Sequence, residues 1–192
     1  MTDNSHDNVL TGNMARNNLR YGFSTNGGDT NMFSQDTAGG NFSVGFDILS
    51  SGNTLSKCMV VGNGDVGIVI GGSMNAIKGN RVLDNLSGIL INGSSQIVSG
   101  NTVMGNRSSG IRLAASTGST ISANTVDGNY GSGIDVTSFS SGNTLISNTA
   151  MNDGLAFGGF DLEDDSSGSG TAATANTWAG NHALTRNPAG LL

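Results

Sequence analysis

The sequence predicts an all-β solenoid, a parallel β-helix of about eight coils with three short strands per coil. Three repeating patterns predict it: a Gly followed by Ile or Phe returns about every 22 residues, polar residues form columns upstream of that pair, and apolar residues lie at fixed offsets from those columns. The glycine of the pair is Gly22, Gly45, Gly67, Gly88, Gly110, Gly133 and Gly159.

Three polar columns, five residues apart, mark the predicted turns. The first is Asn8, Asn31, Asn53, Asn75, Gln96, Ser119, Asn143 and Asn176. The second is Asn13, Asp36, Cys58, Asn80, Asn101, Asn124, Asn148 and Asn181. The third is Asn18, Asn41, Asn63, Asn85, Asn106, Asn129, Asp153 and, breaking the pattern, Arg186. Because an Asn amide both donates and accepts, Asn side chains stacked at the strand spacing of about 4.8 Å can bond to one another. The columns therefore predict asparagine ladders, and we expect the Gly of the pair to turn the chain at positive φ.

Apolar residues alternate with polar ones at period two between these columns, which indicates strands of three to five residues and excludes helix. One such column is Leu10, Phe33, Leu55, Ile77, Val98, Ile121, Leu145 and Trp178, so Trp178 is predicted to lie in the core. We expect a single domain over residues 1–192. The first-column spacing jumps to 33 residues between Asn143 and Asn176, which predicts a loop insertion at about 163–175.

Composition excludes several functional classes. A net charge of −6, with only eight Lys and Arg, argues against nucleic acid as a partner. No apolar run approaches the ~18 residues of a membrane span. The segment after Met1 has no positively charged or apolar signal region, so we expect any secretion signal to have been removed or to lie outside this sequence. The sequence shows no capping helix at its start and no polar cap at its end, so we expect a domain of a longer protein or a chain that oligomerises.

Residues 101–113 and 124–136, each running Asn-Thr-Val to Gly-Ile-x-(Leu or Val), resemble the repeats of right-handed parallel β-helix proteins of the pectin-lyase-like superfamily. The resemblance is to the carbohydrate-binding and sugar-hydrolase branch and covers nearly the whole chain. It implies a right-handed coil and a carbohydrate ligand. The superfamily includes lyases, glycosidases, epimerases, tailspikes and non-catalytic repeat proteins, and none of its catalytic motifs can be matched here residue by residue.

The frame predicts one candidate catalytic or carbohydrate-binding cluster. Arg112, Asp135 and Asp161 fall at the outward position of the third strand in consecutive coils. Two carboxylates one strand apart approach the ~5 to 5.5 Å of a retaining glycosidase pair, and a neighbouring cation also suits a lyase or epimerase acting on a uronate. Tyr130 is a further carbohydrate-binding candidate. The alternative is an ordinary charged strand surface.

Other chemistry has less support in the sequence. Acidic residues near the insertion are candidate calcium ligands, namely Asp153, Asp161, Glu163, Asp164 and Asp165. Apart from calcium we expect no cofactor. His6 and His182 lie at opposite ends of the solenoid and cannot share a metal, and Cys58 is predicted to be a sheltered, unreactive thiol.

These patterns together predict a secreted or cell-surface scaffold that binds a polysaccharide or contacts another protein domain. The alternative is a polysaccharide lyase, glycosidase or uronan epimerase that uses the acidic cluster. Ice binding is a minor alternative, since Thr102, Thr125 and Thr149 stack at one outward position. Outward apolar residues such as Met14, Met59 and Leu90 also suggest contact with a second copy of the chain.

Overall fold

A computed structural model describes residues 5–154, 156 and 158–192. Its first four coils contain β1 (Val9–Thr11), β2 (Met14–Arg16), β3 (Phe23–Thr25), β4 (Met32–Ser34), β5 (Thr37–Gly39), β6 (Phe46–Ile48), β7 (Thr54–Ser56), β8 (Met59–Val61), β9 (Val66–Ile70), β10 (Ala76–Lys78), β11 (Arg81–Leu83) and β12 (Ser87–Ile91). The last four contain β13 (Ile97–Ser99), β14 (Thr102–Met104), β15 (Ile111–Leu113), β16 (Thr120–Ser122), β17 (Thr125–Asp127), β18 (Ile134–Val136), β19 (Thr144–Ile146), β20 (Thr149–Met151), β21 (Leu162–Asp164), β22 (Thr177–Ala179), β23 (His182–Ala183) and β24 (Arg186–Asn187). A short 3-10 helix covers Thr171–Ala173. The described residues form no helix long and apolar enough to cross a membrane.

The strands form three parallel eight-stranded sheets. Sheet A contains the first strand of every coil, sheet B the second and sheet C the third. Each strand pairs in parallel with its counterpart one coil away, as Ile77 pairs with Val98 and Val82 with Val103. This confirms the predicted parallel β-helix, with eight coils and three short strands in each.

The inward apolar columns form one continuous core between the sheets. Most of these side chains are fully buried, and Phe23, Phe33 and Phe46 contact one another in the first two coils. Trp178 is 3% exposed, as predicted, and Leu191 also packs into the core. Because each coil buries its apolar face against its neighbours, stability is shared along the stack.

Asparagine ladders follow all three turns. In the second column, Asn101 Oδ1 accepts hydrogen bonds from the backbone N–H of Asn80 at 2.9 Å and from Asn80 Nδ2 at 3.0 Å. Asn101 Nδ2 donates to the carbonyl of Ile77 at 2.9 Å. Each ladder amide thus satisfies backbone groups that the turn would otherwise leave unpaired in the interior.

The glycine of the Gly-(Ile or Phe) pair has a different role from the one predicted. Positive φ occurs immediately before the ladder residues, for example at Gly79 and Gly100, and not at the paired glycines. A Cβ on Gly88 would collide with the carbonyl oxygen of Gly110 and would lie 2.5 Å from Val103 Cγ1. Glycine is needed here because sheet C passes too close to the next coil for a side chain.

The seventh coil departs from the predicted frame. Leu162, not Phe160, pairs with Ile134, so β21 is shifted by two residues and Gly159 and Phe160 lie in the turn before it. The insertion is accordingly divided: relative to the sixth coil, four extra residues precede β21 and five follow it. Glu163 and Asp164, predicted to lie in the loop, belong to the strand.

Candidate functional site

Three charged side chains occupy consecutive outward positions at the C-terminal part of sheet C. Arg112 on β15 pairs in register with Asp135 on β18, and Asp135 pairs with Glu163 on β21. Period-two alternation directs the residues on either side of Asp135 into the core, which holds Asp135 on the outer face. The predicted positions of Arg112 and Asp135 are therefore confirmed, and Glu163 takes the place predicted for Asp161.

Asp135 is the most constrained member of this column. Its Oδ2 contacts Arg112 Nη1 at 3.2 Å and accepts a hydrogen bond from Ser109 Oγ at 3.1 Å. Burial raises the pKa of Asp135, while the Arg112 charge and the Ser109 hydrogen bond oppose that shift and Glu163 adds to it. Only 8% of Asp135 is exposed, so its carboxyl group is held in one place beneath the Arg112 side chain.

Glu163 and Arg112 are the accessible parts of the column. Glu163 accepts a hydrogen bond from Ser132 Oγ, and it is partly exposed. The Arg112 side chain is 47% exposed. A guanidinium carries five donors, so Arg112 has N–H groups left for a ligand after its contact with Asp135.

Asp161 is a structural residue, which corrects its prediction as an outward catalytic group. Its side chain is 1% exposed. Asp161 Oδ1 accepts the backbone N–H of Asp153 at 2.9 Å, and Oδ2 accepts those of Leu184 and Thr185. Arg186 stands at the third-ladder position of the eighth coil, so Asp161 provides the acceptor that an Asn there would have provided to Asp153. The prediction is wrong because Gly159-Phe160 imitates the repeating pair within a turn.

The five calcium candidates lie in different environments. Asp153 and Asp161 are buried in the third ladder, Asp164 points into the core, and Glu163 and Asp165 lie on the outside. Within residues 5–154, 156 and 158–192, no group of three or more His, Cys, Asp or Glu side chains is arranged to hold a metal ion.

Asp164 occupies the inward position opposite Val136. Its Oδ2 accepts hydrogen bonds from Trp178 Nε1 at 2.7 Å and Asn176 Nδ2 at 3.2 Å, and its Oδ1 accepts two from Ser166. This buried carboxylate joins the strand, the loop after it and the only tryptophan, and it has no accessible face for a ligand.

The remaining candidates lie apart from the column. Cys58 is buried, and burial raises its pKa to about 11, in agreement with the prediction of an unreactive thiol. Tyr130 is exposed in the turn between sheets B and C and lines a cleft with Arg107 and Asp84. His6 precedes β1 and His182 lies in β23, so the histidines are at opposite ends as predicted.

The sequence-based prediction missed Glu163, Ser109 and Ser132. Reading β21 from Leu162 would have identified Glu163, because Leu-Glu-Asp preserves an apolar residue at the Ile134 position. Ser109 and Ser132 precede the glycine of their pairs, a position that holds Val44 and Val66 in earlier coils. The change from valine to serine along that column was the available signal.

Chemically, the column offers a cation, a shielded carboxyl group and an accessible carboxylate on a rigid surface. Adjacent β-strands lie about 4.8 Å apart, so the column presents these groups at a fixed repeat. Val69 and Leu90 precede them at the same outward position and are partly exposed. Apolar contact and charged hydrogen bonds are therefore available along one line.

Comparison with known proteins identifies a family. The family model described as periplasmic copper-binding protein (NosD) matches residues 43–156. No curated protein matches the chain.

Several solved structures share the fold. The A-module of the Azotobacter vinelandii mannuronan C-5 epimerase AlgE6 has a TM-score of 0.78 at 19% identity, covering 96% of this chain and 56% of that one. The periplasmic alginate epimerase AlgG has a TM-score of 0.75 at 16% identity, covering 94% and 45%. The Dettilon tailspike protein has a TM-score of 0.59 at 19% identity, covering 94% and 48%. The chain spans about half the length of these structures, and at these identities the likeness establishes the fold alone.

Proposed function

The chain belongs to the family described as periplasmic copper-binding protein (NosD), and we propose that it acts outside the cytoplasm as a β-helix surface that binds a polysaccharide through the outer face of sheet C. The column of Arg112, Asp135 and Glu163 is the observation that carries this proposal. The names of the structures it resembles, two of them epimerases of polysaccharides, support the ligand class.

Copper does not enter the proposal, because the described residues do not fit a copper site. Copper in proteins is bound by imidazole, thiolate and thioether groups. Cys58 is buried with a raised pKa, which disfavours the thiolate, and the two histidines lie at opposite ends of the stack. Met104 and Met151 point outward from sheet B, but the strand bearing Asp127 separates them.

Polysaccharide binding follows from how the column is held. A sugar presents hydroxyl groups and apolar C–H faces, and binding sites match these with a few positioned polar groups beside apolar ones. Ser109 holds Asp135 and Ser132 holds Glu163, so little side-chain entropy is lost when these groups meet a ligand. Arg112 adds a fork of donors suited to a sugar hydroxyl or a carboxylate.

The test is to titrate soluble uronate-containing and neutral polysaccharides into the wild-type protein and into the Arg112→Ala variant. We expect the variant to bind at least tenfold more weakly than the wild type, a loss of about 1.4 kcal/mol. Arg16→Ala is the matched control, since Arg16 is an exposed strand arginine in the first coil, and thermal unfolding checks that both variants remain folded. Equal affinity for the two variants would contradict a role for sheet C.

One observation favours catalysis at the same column as a second candidate function. Burial raises the pKa of Asp135, which favours a proton donor, and Glu163 lies one strand away. The strand spacing of about 4.8 Å approaches the ~5 to 5.5 Å between carboxyl groups in retaining glycosidases. In this role Asp135 would protonate the leaving oxygen and Glu163 would act as the nucleophile or base.

Turnover assays on the polysaccharides that bind distinguish the two functions. For an enzyme, Asp135→Asn and Glu163→Gln should each abolish turnover while binding persists. Asp7→Asn, which removes an exposed carboxylate in the first coil, serves as the control. A protein that binds without any turnover in the wild type is a binding module.

A further inference from the structure

A cleft lies where sheet B meets its turn to sheet C, outside the sheet C column. One part has a volume of about 620 Å³ and is lined by Asp84, Gly105, Arg107 and Tyr130. The adjoining part, of about 380 Å³, shares Asp84 and Gly105 and extends over sheet B to Arg81. We infer that this cleft is a second binding site, which takes a carboxylate-bearing sugar residue of an acidic polysaccharide.

The repeat itself produces the cleft. Asp84, Gly105 and Gly128 occupy equivalent positions before three successive residues of the third ladder, all at positive φ. Two of the three therefore have no side chain, which leaves the surface open. A Cβ on Gly105 would lie 2.8 Å from Asp84 Oδ1, so the glycine also makes room for the carboxylate of the coil before it.

Arg107 and Tyr130 form one wall of this opening. The backbone N–H of Arg107 donates to the carbonyl of Asn85, and that of Tyr130 donates to the carbonyl of Asn106. These bonds stack the two residues one coil apart, about 4.8 Å. Tyr130 is 52% exposed, so its ring is free to lie against the C–H face of a sugar.

The two arginines indicate an anionic ligand. Among the residues described, the only ion pair is Arg112–Asp135, and neither Arg81 nor Arg107 makes a side-chain hydrogen bond. Both are exposed. In a chain of net charge −6, two unpaired guanidinium groups around one cleft are available for a carboxylate, which their planar fork binds with two hydrogen bonds.

The rest of the lining suits a sugar ring better than a small anion. Leu83 and Met104 are register neighbours on sheet B and form an apolar floor. Asp84 and Asp127 supply acceptors for hydroxyl groups, and Asn152 Nδ2 holds Asp127 at 2.8 Å. An acidic sugar carries a carboxylate for arginine, hydroxyls for aspartate and a C–H face for tyrosine, so it uses all three features.

Binding of galacturonate oligomers and of their carboxyl-reduced counterparts to the Arg112→Ala protein tests the inference separately from the sheet C proposal. We expect the acidic oligomers to bind this variant, and Arg107→Ala or Tyr130→Ala in the same background to weaken binding at least tenfold. Lys78→Ala, which removes an exposed cation from sheet A, should leave the affinity unchanged. In NMR titrations the amides of Gly105, Gly128 and Tyr130 should shift.

Each remaining outcome counts against the inference. Equal binding of the carboxyl-reduced oligomers would overturn the acidic ligand class. Unchanged affinity in both cleft variants, with shifts confined to sheet C, would overturn the site while leaving the sheet C proposal intact. No binding of acidic oligomers by the Arg112→Ala protein would likewise remove the cleft as an independent site.

Discussion

The middle coils and the seventh coil pair their turn backbone groups and fill their core with different kinds of side chain. In the middle coils, neutral Asn side chains satisfy the turns and aliphatic side chains fill the core, as Asn101 and Val103 do. In the seventh coil, three buried aspartates replace them: Asp153 and Asp161 in the third ladder and Asp164 in the core. A carboxylate can accept several hydrogen bonds but carries a charge that is costly to bury. The regular coils therefore depend on apolar packing, and the seventh on hydrogen bonds to buried carboxyl groups, of which Asp161 and Asp164 each accept at least three.

Of the substitutions that test this comparison, Asp164→Ala should lower the free energy of unfolding most. It would leave Trp178 Nε1 and both donors of Ser166 without their acceptor inside the protein, while Asn176 Nδ2 keeps its hydrogen bonds to the Ser140 carbonyl and Ser166 Oγ. Each buried donor left without an acceptor costs about 1 to 3 kcal/mol, so the loss should amount to several kcal/mol. Urea unfolding measures the loss, and we expect tryptophan fluorescence to report it directly.

Asp165→Ala is the matched control for that experiment, because Asp165 is adjacent in sequence but exposed. Surface substitutions of this kind change stability by about 0.5 kcal/mol or less. Similar losses in the two variants would show that the seventh coil does not depend on the buried carboxylate.

The fold was predictable because each structural position recurs in eight coils, so its preference for a polar or an apolar residue can be recognised from the sequence. Two kinds of error remain: the frame is imitated or filled by another residue type at some positions, and the reason for a recurring frame position is misassigned at the paired glycines. Gly159-Phe160 repeats the pair in a turn, so the frame places Asp161 outside although it is buried. The paired glycines suggest a backbone role in the sequence because their contact with the next coil is visible only in three dimensions.

The candidate sites divide in the same way. Arg112 and Asp135 follow from alternation within a regular strand, so their juxtaposition was predictable. The cleft was not, because Asp84, Arg107 and Tyr130 come from three coils and occupy two different positions of the turn. The repeat stacks these turns, but the direction in which a turn side chain points, and hence the cleft that the three residues line together, is visible only in the structure.

Asp153→Asn should have the next largest effect, and it depends on pH. Burial raises the pKa of Asp153 to about 7, with further contributions from Asp161 and Asp127. The raised value means that the folded state favours the protonated form. The stability that the protonated Asp153 carboxyl group contributes is therefore complete below about pH 4, the ordinary pKa of Asp, and is lost as the pH rises to about 7. Asn stays neutral, so the substitution should stabilise the protein at pH 8 and have little effect at pH 4.

The geometry supports the same direction. Asp153 Oδ1 accepts two hydrogen bonds from Asn129, but its buried Oδ2 has no hydrogen-bond partner. In the coil before, Asn129 Nδ2 occupies the equivalent position and donates to the carbonyl of Val103. The gain at pH 8 should reach a few kcal/mol, at about 1.4 kcal/mol for each unit by which the pKa is raised. Urea unfolding of both proteins at pH 4 and pH 8 measures it, and a gain independent of pH would argue against an ionised Asp153.

Cys58→Asn should have the smallest effect, since it repairs a ladder position within the regular coils. The backbone N–H of Cys58 already donates to Asn80 Oδ1 at 2.8 Å, so the turn has the ladder geometry without the ladder side chain. Asn80 Nδ2 donates to the carbonyl of Leu55, and by the repeat the side-chain amide introduced by Cys58→Asn would donate to the carbonyl of Phe33. One added buried hydrogen bond contributes about 1 kcal/mol.

Thermal unfolding should show this gain for Cys58→Asn but not for Cys58→Ser, whose side chain is too short to bridge the two coils. A loss of stability with Cys58→Asn would mean that the packing of the thiol contributes more than the hydrogen bond that replaces it, so that even the ladder positions of the regular coils depend on packing.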